Sequence, residues 1–211
     1  MRVPIARGGW AFILPPLAAG LVAAFTGHPL AAGVFLAATL FLLQFFRDPE
    51  RRPQGGEDTI VSPADGTVLS IGDAPESPAG ARRRLSIFMS VFNCHVNRAP
   101  VSGRLGDYVY VRGSKRVAYH DKASLENEQN RITLVTPAGP VTFKQIAGAL
   151  ARRVVFYPRV GDTLVRGQRI GMIRFGSRCD LFVPDGAEVL VKIGDKVKAG
   201  LTGIARWPRG G

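Results

Sequence analysis

Histidine and cysteine are scarce in this chain. Three histidines (His28, His95, His120) and two cysteines (Cys94, Cys179) are spread over 211 residues. There is no Cys-x-x-Cys and no His-x-His, so no metal centre is expected. Two cysteines in apolar surroundings make no disulfide framework, which fits a reducing compartment. Negative charge is also short: 16 Asp and Glu stand against 28 Lys and Arg, a net charge of +12. The expected partner is therefore anionic. The basic residues are scattered, and no RNP-like aromatic run or other nucleic-acid motif accompanies them. Nucleic acid is set aside, and an anionic membrane surface remains.

Between Gly8 and Phe46 charge disappears altogether. That stretch holds two apolar runs, Trp10–Thr26 and Leu30–Phe46, each of 17 residues and parted by Gly27-His28-Pro29. A spanning helix ordinarily needs ~20 residues. The reading is a helical hairpin that either spans at the short limit or dips in and returns. A buried soluble helix pair is the bland alternative, and the missing charges weigh against it. A cleaved signal peptide fits poorly, because the apolar region is too long and a second run follows at once. Pro15-Pro16 is expected to kink the first helix. Arg2 and Arg7 precede the hairpin; Arg47, Arg51 and Arg52 follow it. The positive-inside rule then puts both ends, and the main domain, on the cytoplasmic side of the inner membrane, where its charge is drawn to anionic headgroups. The organisation expected is an anchoring hairpin over residues 1–47, a Pro- and Gly-rich linker over 48–58, and the main domain over 59–211.

From Thr59 onward the chain alternates short β-type runs with turn signals: Ile60–Val61, Thr67–Ile71, Arg84–Phe92, Gly106–Val111, Arg131–Thr136, Val141–Ile146, Arg153–Phe156, Gln168–Phe175, Cys179–Val183, Glu188–Ile193 and Leu201–Arg206. The spacing predicts a mainly β, antiparallel domain of barrel-sandwich type. Residues 118–131 read as a long polar loop with at most a short helical turn. There is an internal repeat: residues 63–73 resemble 184–195, and Val160-Gly161-Asp162 resembles Ile193-Gly194-Asp195. Gly-Asp turns between short strands are the style of lipoyl-like domains, with two related halves packed face to face; Asp and Gly there shape turns. No lysine stands at a hairpin tip between methionines, which disfavours a lipoyl or biotin carrier.

Four stretches can carry chemistry. Ser62-Pro63-Ala64-Asp65-Gly66 is by itself a turn entering a strand, with Asp65 accepting from backbone N–H groups. Residues 88–100 place His95 directly after an apolar strand, either as a satisfied structural residue or as a general acid or base. Residues 119–130 are a solvated loop or a lid over a site. In Gly176-Ser177 the bland reading is a turn. The sharper one is a serine aimed at its own backbone, since a preceding glycine has no Cβ to crowd the hydroxyl's approach to the Gly176 carbonyl.

Phe45-Phe46-Arg47-Asp48-Pro49, Ser-Pro-Ala-Asp-Gly, His-Val-Asn-Arg-Ala-Pro, Asp-Lys-Ala-Ser-x-Glu-Asn-Glu and Arg-Phe-Gly-Ser-Arg occur here in one order. Together they resemble the phosphatidylserine decarboxylases of the short prokaryotic type, over about Phe45 to Arg206. The resemblance implies a self-processing proenzyme. Ser177 Oγ attacks the Gly176 carbonyl to give an ester. β-Elimination leaves dehydroalanine, which hydrolyses to ammonia and a covalent pyruvoyl cofactor at the new N-terminus. A β chain of 1–176 and an α chain of 177–211 then stay together as a heterodimer. The pyruvoyl ketone takes the phosphatidylserine amine as a Schiff base and serves as the electron sink while carbon dioxide leaves, giving phosphatidylethanolamine. The resemblance further implies His95 as the proton donor and acceptor and Asp65 as the orienting carboxylate of the processing relay.

One departure narrows this. The longer bacterial enzymes carry a second histidine three residues after the first, and here that position is Arg98. His95 then serves both steps, or His120 contributes. Lys122 and Arg98 are the candidate contacts to the headgroup. Assembly into a homo-oligomer is left open. The alternative reading is a non-enzymatic, membrane-tethered lipoyl-like β module or adaptor. A pyruvoyl enzyme for a soluble amino acid is disfavoured by the hairpin, and a zinc endopeptidase by the missing ligands.

Overall fold

A computed structural model describes residues 4–74, 83–113, 127–148, 154–174 and 177–208. The chain divides into two compact units, residues 1–50 and 51–211.

In the first unit, α1 (Trp10–Phe25) and α2 (Pro29–Phe45) form the expected hairpin. α1 continues through Pro15 and Pro16 as one helix. Gly27 makes the turn at φ 76°, and Pro29 opens α2, where its missing N–H is harmless. The ends are tied by Ala6 N–H to Phe46 C=O (2.8 Å) and Asp48 N–H to Pro4 C=O (2.7 Å). Phe25 and Leu30, at the turn, are 91% and 87% exposed. No helix among the described residues is long and apolar enough to cross a membrane.

Fourteen strands form among the described residues of the second unit: β1 (Thr59–Val61), β2 (Gly66–Asp73), β3 (Arg83–Met89), β4 (Val96–Arg98), β5 (Gly103–Val111), β6 (Gln129–Thr136), β7 (Gly139–Ala147), β8 (Val154–Phe156), β9 (Thr163–Leu164), β10 (Arg169–Ile173), β11 (Ser177–Val183), β12 (Glu188–Val189), β13 (Lys196–Val197) and β14 (Gly203–Arg206). Eight of them make a curled half-barrel in the order β13-β2-β3-β11-β7-β6-β5-β9. Two three-stranded sheets, β4-β10-β8 and β1-β14-β12, complete the unit. The mainly β class with a helical hairpin is as the sequence predicts. The core joins Leu85, Ile87, Ile132, Phe143 and Leu181 of the large sheet with Ile170 and Ile173 of β10 and Ile204 of β14. Burial of each such side chain stabilises the fold by roughly 1.5–3 kcal/mol.

Of the repeat, the two Gly-Asp turns match, whereas residues 63–73 and 184–195 differ: β2 runs over Gly66–Asp73 and β12 only over Glu188–Val189. Gly161 N–H donates to Leu105 C=O, and Leu105 N–H returns a bond to Asp162 C=O (2.8 Å each). Gly194 and Asp195 do the same with Val68 (2.9 Å each). Asp162 and Asp195 each accept, through the side chain, the N–H three residues earlier. Both glycines hold positive φ, 100° and 94°, which a side chain rarely tolerates.

Strand ends differ from the sequence reading where side chains compete for backbone groups. The strand expected to reach Phe92 stops at Met89, because Asn93 Oδ1 takes the Ser90 N–H (2.8 Å) and closes a turn. The run expected over Glu188–Ile193 keeps strand form only at Glu188–Val189, with Asp195 capping Lys192 beyond it. The possible helical turn in 118–131 falls largely outside the described residues; the segment re-emerges at Asn127 and enters β6 at Gln129.

Candidate active site

β10 ends at Ile173 in a three-stranded sheet, and β11 begins at Ser177 in the half-barrel. The Gly176-Ser177 bond therefore falls on the crossover from one sheet to the other. Gly176 itself lies outside the described residues. Ser177 is no turn residue: it is the first residue of a strand buried at all seven positions. It pairs with Met89 on β3 and with Ala147 on β7. Its hydroxyl, at 0% exposure, donates to Met89 Sδ at 3.2 Å. A thioether is a weak acceptor, so the hydroxyl is oriented without being strongly held.

β11 alternates faces. Ser177, Cys179 and Leu181 look into the core. Arg178 and Asp180 look the other way and form a buried pair (Nε to Oδ1, 2.6 Å), with Arg178 also donating to Ser86 Oγ (2.7 Å). Burial, and then the Asp180 charge, push the Cys179 thiol well above its ordinary range, so it stays protonated.

His95 precedes β4 and is fully buried. Its Nδ1 lies 2.9 Å from Asn93 C=O. A carbonyl only accepts, so the neutral ring carries its hydrogen on Nδ1 and keeps Nε2 as the basic nitrogen. The His95 carbonyl takes Ile173 N–H at 3.3 Å, which ties the histidine's backbone to the start of the crossover that leads to Ser177.

Asp65, 6% exposed, is gripped by Arg51 through both guanidinium ends, with Nη2 to Oδ2 at 2.9 Å, and accepts Ala199 N–H at 2.7 Å. Arg51 Nη1 also donates to Ala199 C=O at 2.9 Å. The carboxylate expected to orient the histidine is thus engaged by an arginine, and the histidine's Nδ1 by a backbone carbonyl. Arg98, at the position of the absent second histidine, is 3% exposed and donates to Gly167 C=O at 3.0 Å. Its stem fills the space that a Cβ on Gly200 would need. His120 and Lys122 lie outside the described residues.

The sequence reading passes over a row of buried amides on the Ser177 side of the sheet. Asn97 on β4 receives Gln145 Nε2 on its Oδ1 (2.8 Å). Gln145 Oε1 receives Asn130 Nδ2 (3.3 Å), and Asn130 Oδ1 receives the Tyr108 hydroxyl (3.1 Å). Asn127 donates to the carbonyl of Ala147, the cross-strand partner of Ser177, at 2.7 Å. The available signal was an amide at an inward position of a strand, as Gln145 is between Phe143 and Ala147. No group of metal-ligating side chains occurs among the described residues.

A family model for phosphatidylserine decarboxylase matches residues 38–205. Among curated proteins, the chain is 46% identical over 209 residues to a phosphatidylserine decarboxylase proenzyme of Geotalea uraniireducens, covering 98% of each. It is 50% identical over 176 residues to the proenzyme of Trichlorobacter lovleyi, covering 83% of this chain and 80% of the relative. The proenzyme of Citrifermentans bemidjiense is 45% identical, with 97% of each covered. The family match and the relatives' names are those of a carboxy-lyase and do not favour a non-enzymatic adaptor. The chain belongs to the phosphatidylserine decarboxylase family.

Proposed function

We propose that this chain is a proenzyme that cuts itself between Gly176 and Ser177 and then decarboxylates phosphatidylserine to phosphatidylethanolamine at the membrane. The observation that carries the reading is the place of Ser177, fully buried at the first position of β11, where the chain crosses between sheets beside the His95 segment. In processing, Ser177 Oγ attacks the Gly176 carbonyl, and His95 Nε2 is the group that takes and returns the proton. Asp65, with Arg51, fixes the Ser62–Gly66 turn against Ala199, a residue of the future α chain. The resulting pyruvoyl group supplies an electron sink for loss of carbon dioxide. The site fits such a group: position 177 is enclosed, and β11 keeps it in place through β3 and β7 after the cut. His95 then protonates the α-carbon. Of the two headgroup candidates, Arg98 already serves Gly167, which leaves Lys122 as the better one. The hairpin anchors the enzyme, and the +12 charge holds it to anionic lipid on the cytoplasmic side.

Intact-mass measurement of the purified protein tests this. Two chains are expected, the shorter of 35 residues with a blocked, ketone-bearing N-terminus. A single uncut chain in membranes that make phosphatidylethanolamine overturns the proposal.

A further inference from the structure

Three amides stand in a row inside an otherwise apolar core. Asn97, Gln145 and Asn130 are each at 0% exposure, and their neighbours on the same face include Ile87, Ile132, Phe143 and Leu181. Burying an amide is unfavourable unless every polar atom finds a partner. Apolar residues would fill this space without that demand, so the row calls for a reason other than packing.

Its direction is fixed from one end. Asn97 Nδ2 donates to the backbone carbonyl of Pro63 at 3.3 Å. A carbonyl only accepts, so Asn97 must turn its NH2 that way and its Oδ1 towards Gln145. Gln145 must then give its NH2 to Asn97 and present Oε1 to Asn130, which presents Oδ1 to Tyr108. No member can flip without setting donor against donor or acceptor against acceptor. The far end is firm too: the Tyr108 ring stacks on Phe156, with centroids 4.9 Å apart and planes 8° from parallel. Burial, and then Tyr110, raise the phenol's pKa, so it stays a donor.

The near end reaches Ser177. Asn97 Nδ2 also approaches Met89 Sδ at 3.8 Å, and the same sulfur accepts the Ser177 hydroxyl at 3.2 Å. Methionine is a flexible side chain whose sulfur can take many positions. Two donors converging on it select one.

We propose that Asn97 is a positioning residue for the Ser177 centre: held by Gln145, Asn130 and Tyr108 with its amide nitrogen shared between Pro63 C=O and Met89 Sδ, it fixes the thioether that aligns the serine hydroxyl. This rests on the reading of Ser177 as the reacting residue. It joins the Ser62–Gly66 turn, through Pro63, to the His95 stretch, through Asn97, in one device.

The decisive variant is Gln145→Glu in the full chain, with processing followed by gel and intact mass across pH. The introduced carboxyl still donates to Asn97 Oδ1 while it is protonated; once ionised it cannot. Processing should match wild type at acid pH and fall about tenfold relative to wild type as the new carboxyl ionises. The titratable groups near position 145 are Cys179 opposite on β11, Tyr108 beyond Asn130, and His95 two residues before Asn97. All three are present in wild type, so the comparison is made with wild type at each pH. A processing profile parallel to wild type overturns the proposal. Where Gln145→Glu fails to fold, Tyr108→Phe decides. It keeps the ring stack and removes only the donor at the half-buried far end. A severalfold loss in processing rate with an unchanged melting temperature supports the positioning role, and a wild-type processing rate overturns it. Cleavage in wild type is scored in parallel: its absence defeats the Ser177 reading, whereas cleavage with indifferent variants defeats this inference alone.

Discussion

Ser177 and Met89 are directly opposed across β11 and β3, and the serine hydroxyl donates to the methionine sulfur at 3.2 Å. The acceptor disappears in Met89→Leu, while volume is nearly conserved, so the fold should lose less than about 1.5 kcal/mol. Processing should slow roughly five- to tenfold, the equivalent of about one hydrogen bond's worth of alignment. Pulse-chase on a denaturing gel reads it directly; wild-type conversion would show that the sulfur contact is idle.

Ser177→Ala removes the proposed nucleophile. The chain should remain whole, and decarboxylation of phosphatidylserine should be abolished. Formation of phosphatidylethanolamine by this variant would remove Ser177 from the chemistry.

The proposed base, His95, places Nδ1 on Asn93 C=O and presents Nε2. His95→Gln removes that basic nitrogen and should slow processing by roughly a hundredfold or more. Wild-type conversion of this variant in a pulse-chase would assign the proton transfer to another group.

Arg51 and Asp65 are each about nine-tenths buried as side chains and hold one another. Removing one partner strands the other, at a typical cost of about 3–5 kcal/mol. Arg51→Ala in the uncuttable Ser177→Ala background should lower the melting temperature by several degrees or more, and Arg51→Lys by less. An unchanged melting temperature would make the pair dispensable to the fold.

Cys179 offers a test of burial. Its folded pKa lies above the unfolded one, so its contribution to stability is complete at neutral pH and is lost as pH rises past the ordinary thiol range. Alkylation should be negligible in the folded protein at neutral pH and complete in denaturant.

The hairpin was legible because charge is missing over its whole length, and the β class because apolar residues alternate between turn signals. β4, β9 and β13 were not, since two or three residues cannot display a period. Asp65 stood out by its motif, but its partner Arg51 lies fourteen positions away, and a contact across such a distance leaves no pattern. Arg98 reads in sequence as a candidate headgroup contact; only the bond to Gly167 and the close approach of Gly200 show why an arginine is buried there. The amide row was invisible for a related reason. Gln145 stands at an inward strand position, but its partner Asn97 lies 48 positions away on another sheet.

The place of β11 also decides the order of events in the protein's life. The 35-residue fragment that the proposed cleavage would produce is hydrogen-bonded to β3 and β7 on its two sides, and its later strands pair with β2 and β1. A free peptide of that length would have to find an eight-stranded sheet with its middle missing. As one chain, the segment is delivered to its slot by covalent connection, at high effective concentration. A cut at the proposed bond would then come after folding, and it would erase the connectivity that guides folding. Mature enzyme unfolded by denaturant should recover poorly on dilution, while the uncut Ser177→Ala chain should recover well. On the proposed reading, the reaction that creates the active site would leave a molecule that can be used many times but folded only once.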